Sequence, residues 1–138
     1  MMATPIRGGE ARGYRTFHRD SWEILVGKGA ADNDALTFKI AERGDLWMHV
    51  SGWSGSHVVI RVPDGFDEPP REVVEHAARL AAWYSKGRGA KGKVEVHVCR
   101  AGDVRKPPRY APGKVQLTRW TAVKVYAKNP PPGVEEGS

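Results

Sequence analysis

Two histidines, His49 and His57, have the types and spacing for chemistry, because each sits in a strand-like alternation beside possible partners. In 45–51, Leu46, Met48 and Val50 alternate with Trp47, His49 and Ser51; in 57–62, Val58, Ile60 and Val62 alternate with His57, Val59 and Arg61. If the aliphatic sets face the core, strand periodicity gathers Trp47, His49, His57 and Arg61 on the opposite face. Two imidazoles on adjacent strands could chelate zinc, but the spacing offers no third ligand. They could also be hydrogen-bonded structural residues. A third reading is nucleic-acid contact, with Trp47 or His49 as the stacking group and Arg61 as the phosphate donor. Parity favours contact, since a tryptophan on an open face marks a contact surface. A helix laid over that face would bury the set instead.

Three short motifs invite phosphate or metal chemistry. Gly87-Arg88-Gly89-Ala90-Lys91-Gly92-Lys93 spells GxxxxGK, yet Val94 stands where a P-loop needs Ser or Thr, and the order is helix–loop–strand. What survives is a glycine-rich loop carrying Lys86, Arg88, Lys91 and Lys93. Gly27-Lys28-Gly29 does lie between a strand and a helix, where Lys28 and free N–H groups could hold a phosphate. Asp32 and Asp34 in the same turn would repel an anion, so a tight turn before a capped helix is the plainer reading. Asp32-Asn33-Asp34 begins like a calcium loop, but Thr37 and Gly44 replace the required glycine and glutamate. Cys99 follows a valine-rich strand and reads as a small apolar residue.

The elements that must position these residues follow from periodicity. Tyr14–His18 and Trp22–Val26 read as a hairpin, and a short helix capped by Asp32 or Asn33 runs to Gly44, with Leu36 and Ile40 on one face. The strands at 45–51 and 57–62 are joined by Gly52–Ser56, too short for a parallel crossover. A helix begins near Pro70 with the stripe Val73, Ala77, Leu80, Ala81 and Tyr84, and Gly87 stops it. Strands follow at Val94–Val98, Lys114–Thr118 and Ala122–Ala127, with a Pro-rich basic loop at Arg105–Gly113. The order β-β-α-β-β-α-β-β-β predicts an α+β single domain over 14–128, a largely antiparallel mixed sheet with two main helices. Residues 1–13 and 129–138 read as flexible termini.

At 138 residues, 40% hydrophobic and 28% charged, the composition is that of one globular domain with a core of its own. A single cysteine excludes an internal disulfide framework, and no apolar run suits a signal peptide or bilayer span. The expectation is a soluble cytoplasmic protein without a membrane partner. Charge is segregated: residues 1–85 carry −2, residues 86–128 carry +10, and the tail carries −2, for a net +6. Such a basic half is the footprint of a polyanion binder, or else a solvated basic face.

Three blocks in order resemble the NFACT-R family, an RNA-binding module of proteins that act on stalled large ribosomal subunits. They are Gly27-Lys28-Gly29-Ala30 with Asn33-Asp34; Asp45-Leu46-Trp47-Met48-His49 with Gly55-Ser56-His57-Val58-Val59-Ile60; and Ala81-Ala82-Trp83-Tyr84-Ser85-Lys86 with Lys106-Pro107 and Pro112-Gly113-Lys114-Val115. Gly29 replaces the family's usual Asn, and Trp53 interrupts the loop before Gly55. The family's N-terminal domain, helix-hairpin-helix and coiled coil do not fit in this chain, which reads as the module alone, so their peptide-tailing activity is not carried over. The resemblance implies RNA binding, to tRNA or ribosomal RNA, with the large ribosomal subunit as a further partner, no catalysis and no cofactor. It makes Lys86, Arg88, Lys91, Lys93, Arg105, Lys106 and Arg109 phosphate contacts and His49, His57 and Arg61 the local site, and the reading of the residues themselves adds Lys28 and Trp47 as RNA contacts. Two other classes stay open: a metal- or histidine-dependent enzyme acting on a phosphorylated substrate, and a ribosome-associated protein adaptor docking through exposed tryptophans.

Overall fold

The computed structural model describes residues 13–127 and the backbone of 134–136. Strands β1 (Tyr14–Arg19) and β2 (Trp22–Gly27) form a hairpin in register Thr16 to Leu25. Its two-residue turn puts Asp20 (φ 51°) and Ser21 (φ 73°) in the left-handed region, the backbone that matches the twist of tight hairpins. Helix α1 (Ala30–Ala35) runs into a wider π-type turn over Leu36–Ile40. It starts earlier than Asp32 or Asn33, with Gly29 as its N-cap, and ends before Ala41 rather than at Gly44. The π turn explains a second difference. Ala41 N–H bonds the Leu36 carbonyl five residues back, so Leu36 is buried while Ile40 swings out to solvent.

Strands β3 (Leu46–Val50) and β4 (Val58–Ile60) pair antiparallel, Trp47 opposite Val59. Helix α2 (Arg71–Trp83) follows. It ends before Gly87, because the chain turns at Tyr84 and Ser85 Oγ accepts from Gly87 N–H. Strand β5 (Lys93–Arg100) pairs with β3, and β8 (Thr121–Tyr126) pairs with β5. Between them β6 (Val104–Arg105) and β7 (Gln116–Leu117) make a small hairpin where a longer strand at 114–118 was expected. The backbone of β9 (Val134–Glu136) pairs with β1, inside a tail expected to stay unfolded. The rest of that tail, 129–133 and 137–138, and residues 1–12 lie outside the described residues.

The sheet order is β8-β5-β3-β4-β2-β1-β9, every pairing antiparallel. This is the α+β architecture that the periodicity predicts. One sheet face, with Ile24, Met48, Val50, Ile60 and Val96, packs on the Val73, Ala77, Leu80 and Ala81 stripe of α2. The opposite face carries a second core, where Leu25, Trp47, Val59 and Cys99 meet Leu36, Ala101 and Val104. The cover on that side, α1 and the chain around β6 and β7, reaches across β2, β4 and β3. Strands β5 and β8 keep much of that face open: Ala122, Lys124 and Tyr126 are exposed.

Candidate nucleic-acid interface

Strand parity holds, but the face it defines is covered. Trp47 and His57 are each 1% exposed, so the expected open stacking surface at these two residues is corrected: they are core. Thr37, on the π turn, explains why polar groups tolerate that burial. Its hydroxyl oxygen accepts from Trp47 Nε1–H at 2.9 Å and lies 2.8 Å from His57 Nδ1. His57 Nε2 lies 3.0 Å from the Gly113 carbonyl, which can only accept. Nε2 therefore carries the proton, and Nδ1 accepts from Thr37. Every polar atom of the trio has a partner, as burial demands. Burial first, then the neighbouring His49, pushes the His57 pKa down to about 4. His49 is shifted the same way by burial and by His97.

This network fastens three segments around a cleft. His57 N–H donates to Asn33 Oδ1 at 3.1 Å, and Ser56 Oγ donates to the Gly27 carbonyl at 2.6 Å. Gly27 suits this packing, since a Cβ there would sit 2.0 Å from Asn33 Oδ1 and displace the amide that holds His57 N–H. The loop after α2 docks on the β3–β4 loop: Ser56 N–H donates to the Tyr84 carbonyl at 2.9 Å and Lys86 N–H to that of Ser54 at 2.8 Å. Gly55 and Gly87 allow this approach, with Ser85 and the Trp53 ring filling the space their side chains would need.

The resulting cleft has a volume of about 610 Å³. Arg15, Lys28, Lys86, Arg88 and Lys114 line it, with His49 and Asn33, and no Asp or Glu is among its described lining residues. Aromatic rings hold several of these cations. The Arg88 guanidinium lies 4.3 Å from the Trp83 ring centre, Arg15 lies 4.8 Å from Tyr84, and Lys114 Nζ lies 4.9 Å from Tyr110. Cation–π contact orients a charge, so these rings fix where the cations stand along the concavity.

Of the expected contacts, Lys28, His49, Lys86 and Arg88 come together here. The others do not. Lys91 and Lys93 are exposed on the way into β5, Lys93 lying 5.4 Å from the Tyr126 ring centre. Arg105 is exposed and bonds the Gly102 carbonyl at 2.6 Å; Arg109 is exposed with φ 71°. Lys106 is an internal fastener: its Nζ bonds Asp34 at 3.0 Å and the carbonyls of Ala111 and Lys114. Arg61 sits at the far end of the sheet, its Nε 3.0 Å from Asp45 Oδ2. Asp45 is 1% exposed and also accepts from the N–H groups of Glu42 and Val62. Arg61 thus shares the face of His57 but not its site.

Arg15 and Lys114 were missed. Arg15 lies in the near-neutral part of the sequence, and only the β1–β2 pairing brings it to the cleft; Lys114 falls in the strand expected at 114–118. Of the two acidic neighbours of the Lys28 turn, Asp34 is occupied by Lys106 and by Gly113 N–H. The GxxxxGK loop is a short turn between α2 and β5, not a phosphate loop before a helix. Among the described residues, no three His, Cys, Asp or Glu side chains gather where they could hold a metal. Cys99 is buried, and burial followed by Asp103 pushes its thiol up to about 12.

An α+β scaffold whose cationic cleft has no Asp or Glu among its described lining residues has the charge pattern expected of a polyanion-binding domain, and comparison with known proteins gives the family. Residues 13–119 match the NFACT protein RNA binding domain, and the chain belongs to that family. The Rqc2 homolog RqcH of Streptococcus suis (strain 05ZYH33) is 47% identical over 92 residues, covering 67% of this chain and 16% of RqcH. RqcH of Bacillus subtilis (strain 168) is 39% identical over 92 residues, covering 67% of this chain and 15% of its own length. Among solved structures, the C-terminal part of the fibronectin/fibrinogen-binding protein from Streptococcus suis superposes with a TM-score of 0.74 at 35% identity, covering 91% of this chain and 47% of that one. No helix among the described residues is long and apolar enough to cross a membrane.

Proposed function

We propose that this domain binds RNA, tRNA or ribosomal RNA, in a translation or ribosome-quality-control setting, and performs no chemistry of its own. The observation that carries the reading is the cleft: five cations, no carboxylate among its described lining residues, and walls fixed by buried hydrogen bonds. Phosphate contacts supply most of the affinity in such interfaces and position the ligand without reading sequence. The membership in an RNA-binding family and the likeness to RqcH support the setting. The chain spans 16% of that relative, so ribosome association and cytoplasmic location are part of the proposal.

Filter binding of tRNA and of ribosomal RNA fragments to the full chain tests it. Wild type is expected to retain both, and Lys86→Ala with Arg88→Ala to lose affinity for both alike while keeping its thermal midpoint. Retention of RNA by the double variant at wild-type affinity would overturn the assignment to the cleft.

A further inference from the structure

The exposed part of the sheet face beside the cleft has a composition of its own. His49, which lines the cleft, stands opposite His97 on β5, which in turn stands opposite Ala122 on β8. The His97 ring lies 5.5 Å from the ring of Trp120, which is 51% exposed. Along the same face Lys124 stands opposite Glu95, and Tyr126 opposite Lys93. Tyr126 is 53% exposed, with Lys93 Nζ near its ring. Glu95 is the acid in this row, and His97 Nε2 lies 3.2 Å from its carboxylate. Large rings held open to water with cations between them are costly for solubility and carry no core function.

We propose that Trp120, His97 and Tyr126, with Lys93 and Lys124, form a stacking platform for unpaired RNA bases. Each base has a π-face to lay on a ring, and a lysine or arginine beside the ring meets the adjoining phosphate. Duplex RNA cannot use such a surface, because its bases are already stacked on one another. Charge complementarity decides for this ligand: Lys93 and Lys124 stand among the rings, and Glu95, the carboxylate between them, is engaged by His97. The platform adjoins the cleft through the His49–His97 pair, so an RNA whose backbone enters the cleft can splay bases across β5 and β8. This rests on the RNA-binding reading above and adds the class of RNA.

The test uses the full chain with a short oligoadenylate and, separately, a blunt RNA duplex of equal length. Trp120→Ala and Tyr126→Ala are each expected to weaken oligoadenylate binding about tenfold and to leave duplex binding unchanged. Trp120→Phe is expected to keep most of the affinity, since a ring remains. Oligoadenylate is also expected to quench tryptophan fluorescence more strongly in wild type than in Trp120→Phe. Trp120 is half-exposed, and thermal midpoints near wild type certify the fold of each variant. Wild-type oligoadenylate affinity in both alanine variants would overturn the platform while leaving the cleft standing. Failure of wild type to bind either RNA would overturn the cleft reading and the platform with it.

Discussion

Thr37 has one hydroxyl proton and two lone pairs, and its neighbours assign them. Trp47 donates to its oxygen while His57 Nδ1 takes its proton. Thr37→Val keeps the shape but leaves a buried indole N–H and a buried imidazole nitrogen unpaired. The expected cost is ~1–3 kcal/mol, read as a fall of several degrees in thermal midpoint. His57 gives the same network a pH dependence. Its folded pKa of about 4 lies below the ordinary 6.5, so between those values the unfolded chain holds the extra proton. Stability is then full above about pH 6.5 and falls as pH drops toward 4, by up to about 3 kcal/mol from this residue. His49 is shifted in the same direction and adds to the loss. NMR titration checks the cause: the His57 ring is expected to stay neutral through pH 6, and titration near 6.5 would contradict the network.

At the scale of elements, the cleft depends on two loops lying closer than side chains ordinarily permit. A Cβ at Gly55 would meet Ser85 Cβ at 2.6 Å and the Tyr84 carbonyl oxygen at 3.1 Å, and neither backbone can retreat without breaking the Ser56 and Lys86 hydrogen bonds. Gly55→Val is expected to lower both the thermal midpoint and RNA affinity. Lys106→Met makes the converse case, because its ammonium ties the 106–114 loop to α1. A lower midpoint with an unchanged salt dependence of RNA binding is expected there, whereas a shallower dependence would return Lys106 to the phosphate contacts. Strands and α2 were legible because aliphatic alternation and a helical stripe are dense local signals. The π turn was not, since nothing in Leu36–Ile40 distinguishes a hydrogen bond closing five residues back from one closing four back. It moved Ile40 to solvent and brought Thr37 to His57.

Across the whole molecule, the face of Trp47 and His57 was legible from parity, but its cover was not. That cover comes from α1 and from the 101–117 segment, irregular chain whose proline content advertises a loop rather than a lid. Charge followed the same division. The excess of cations after residue 85 was visible, yet part of it is used internally. Arg100 bonds the Gly44 and Asp67 carbonyls and Glu68, Arg105 bonds backbone, and Lys106 bonds Asp34. The cleft instead recruits Arg15 and Lys28 from the near-neutral half, which only the folded topology reveals.

The central claim is that cations of the cleft, rather than the basic segment as a whole, hold RNA phosphates. A salt series of RNA affinity measures it most directly, comparing wild type with the combined Lys28→Ala, Lys86→Ala, Arg88→Ala and Lys114→Ala variant. In wild type, log affinity is expected to fall linearly with log salt. In the variant the slope should be shallower by ~0.7–0.9 for each phosphate contact removed, while Lys91→Ala combined with Arg109→Ala leaves it near wild type. A wild-type slope in the cleft variant, or a loss of slope confined to the Lys91 and Arg109 variant, would contradict the account.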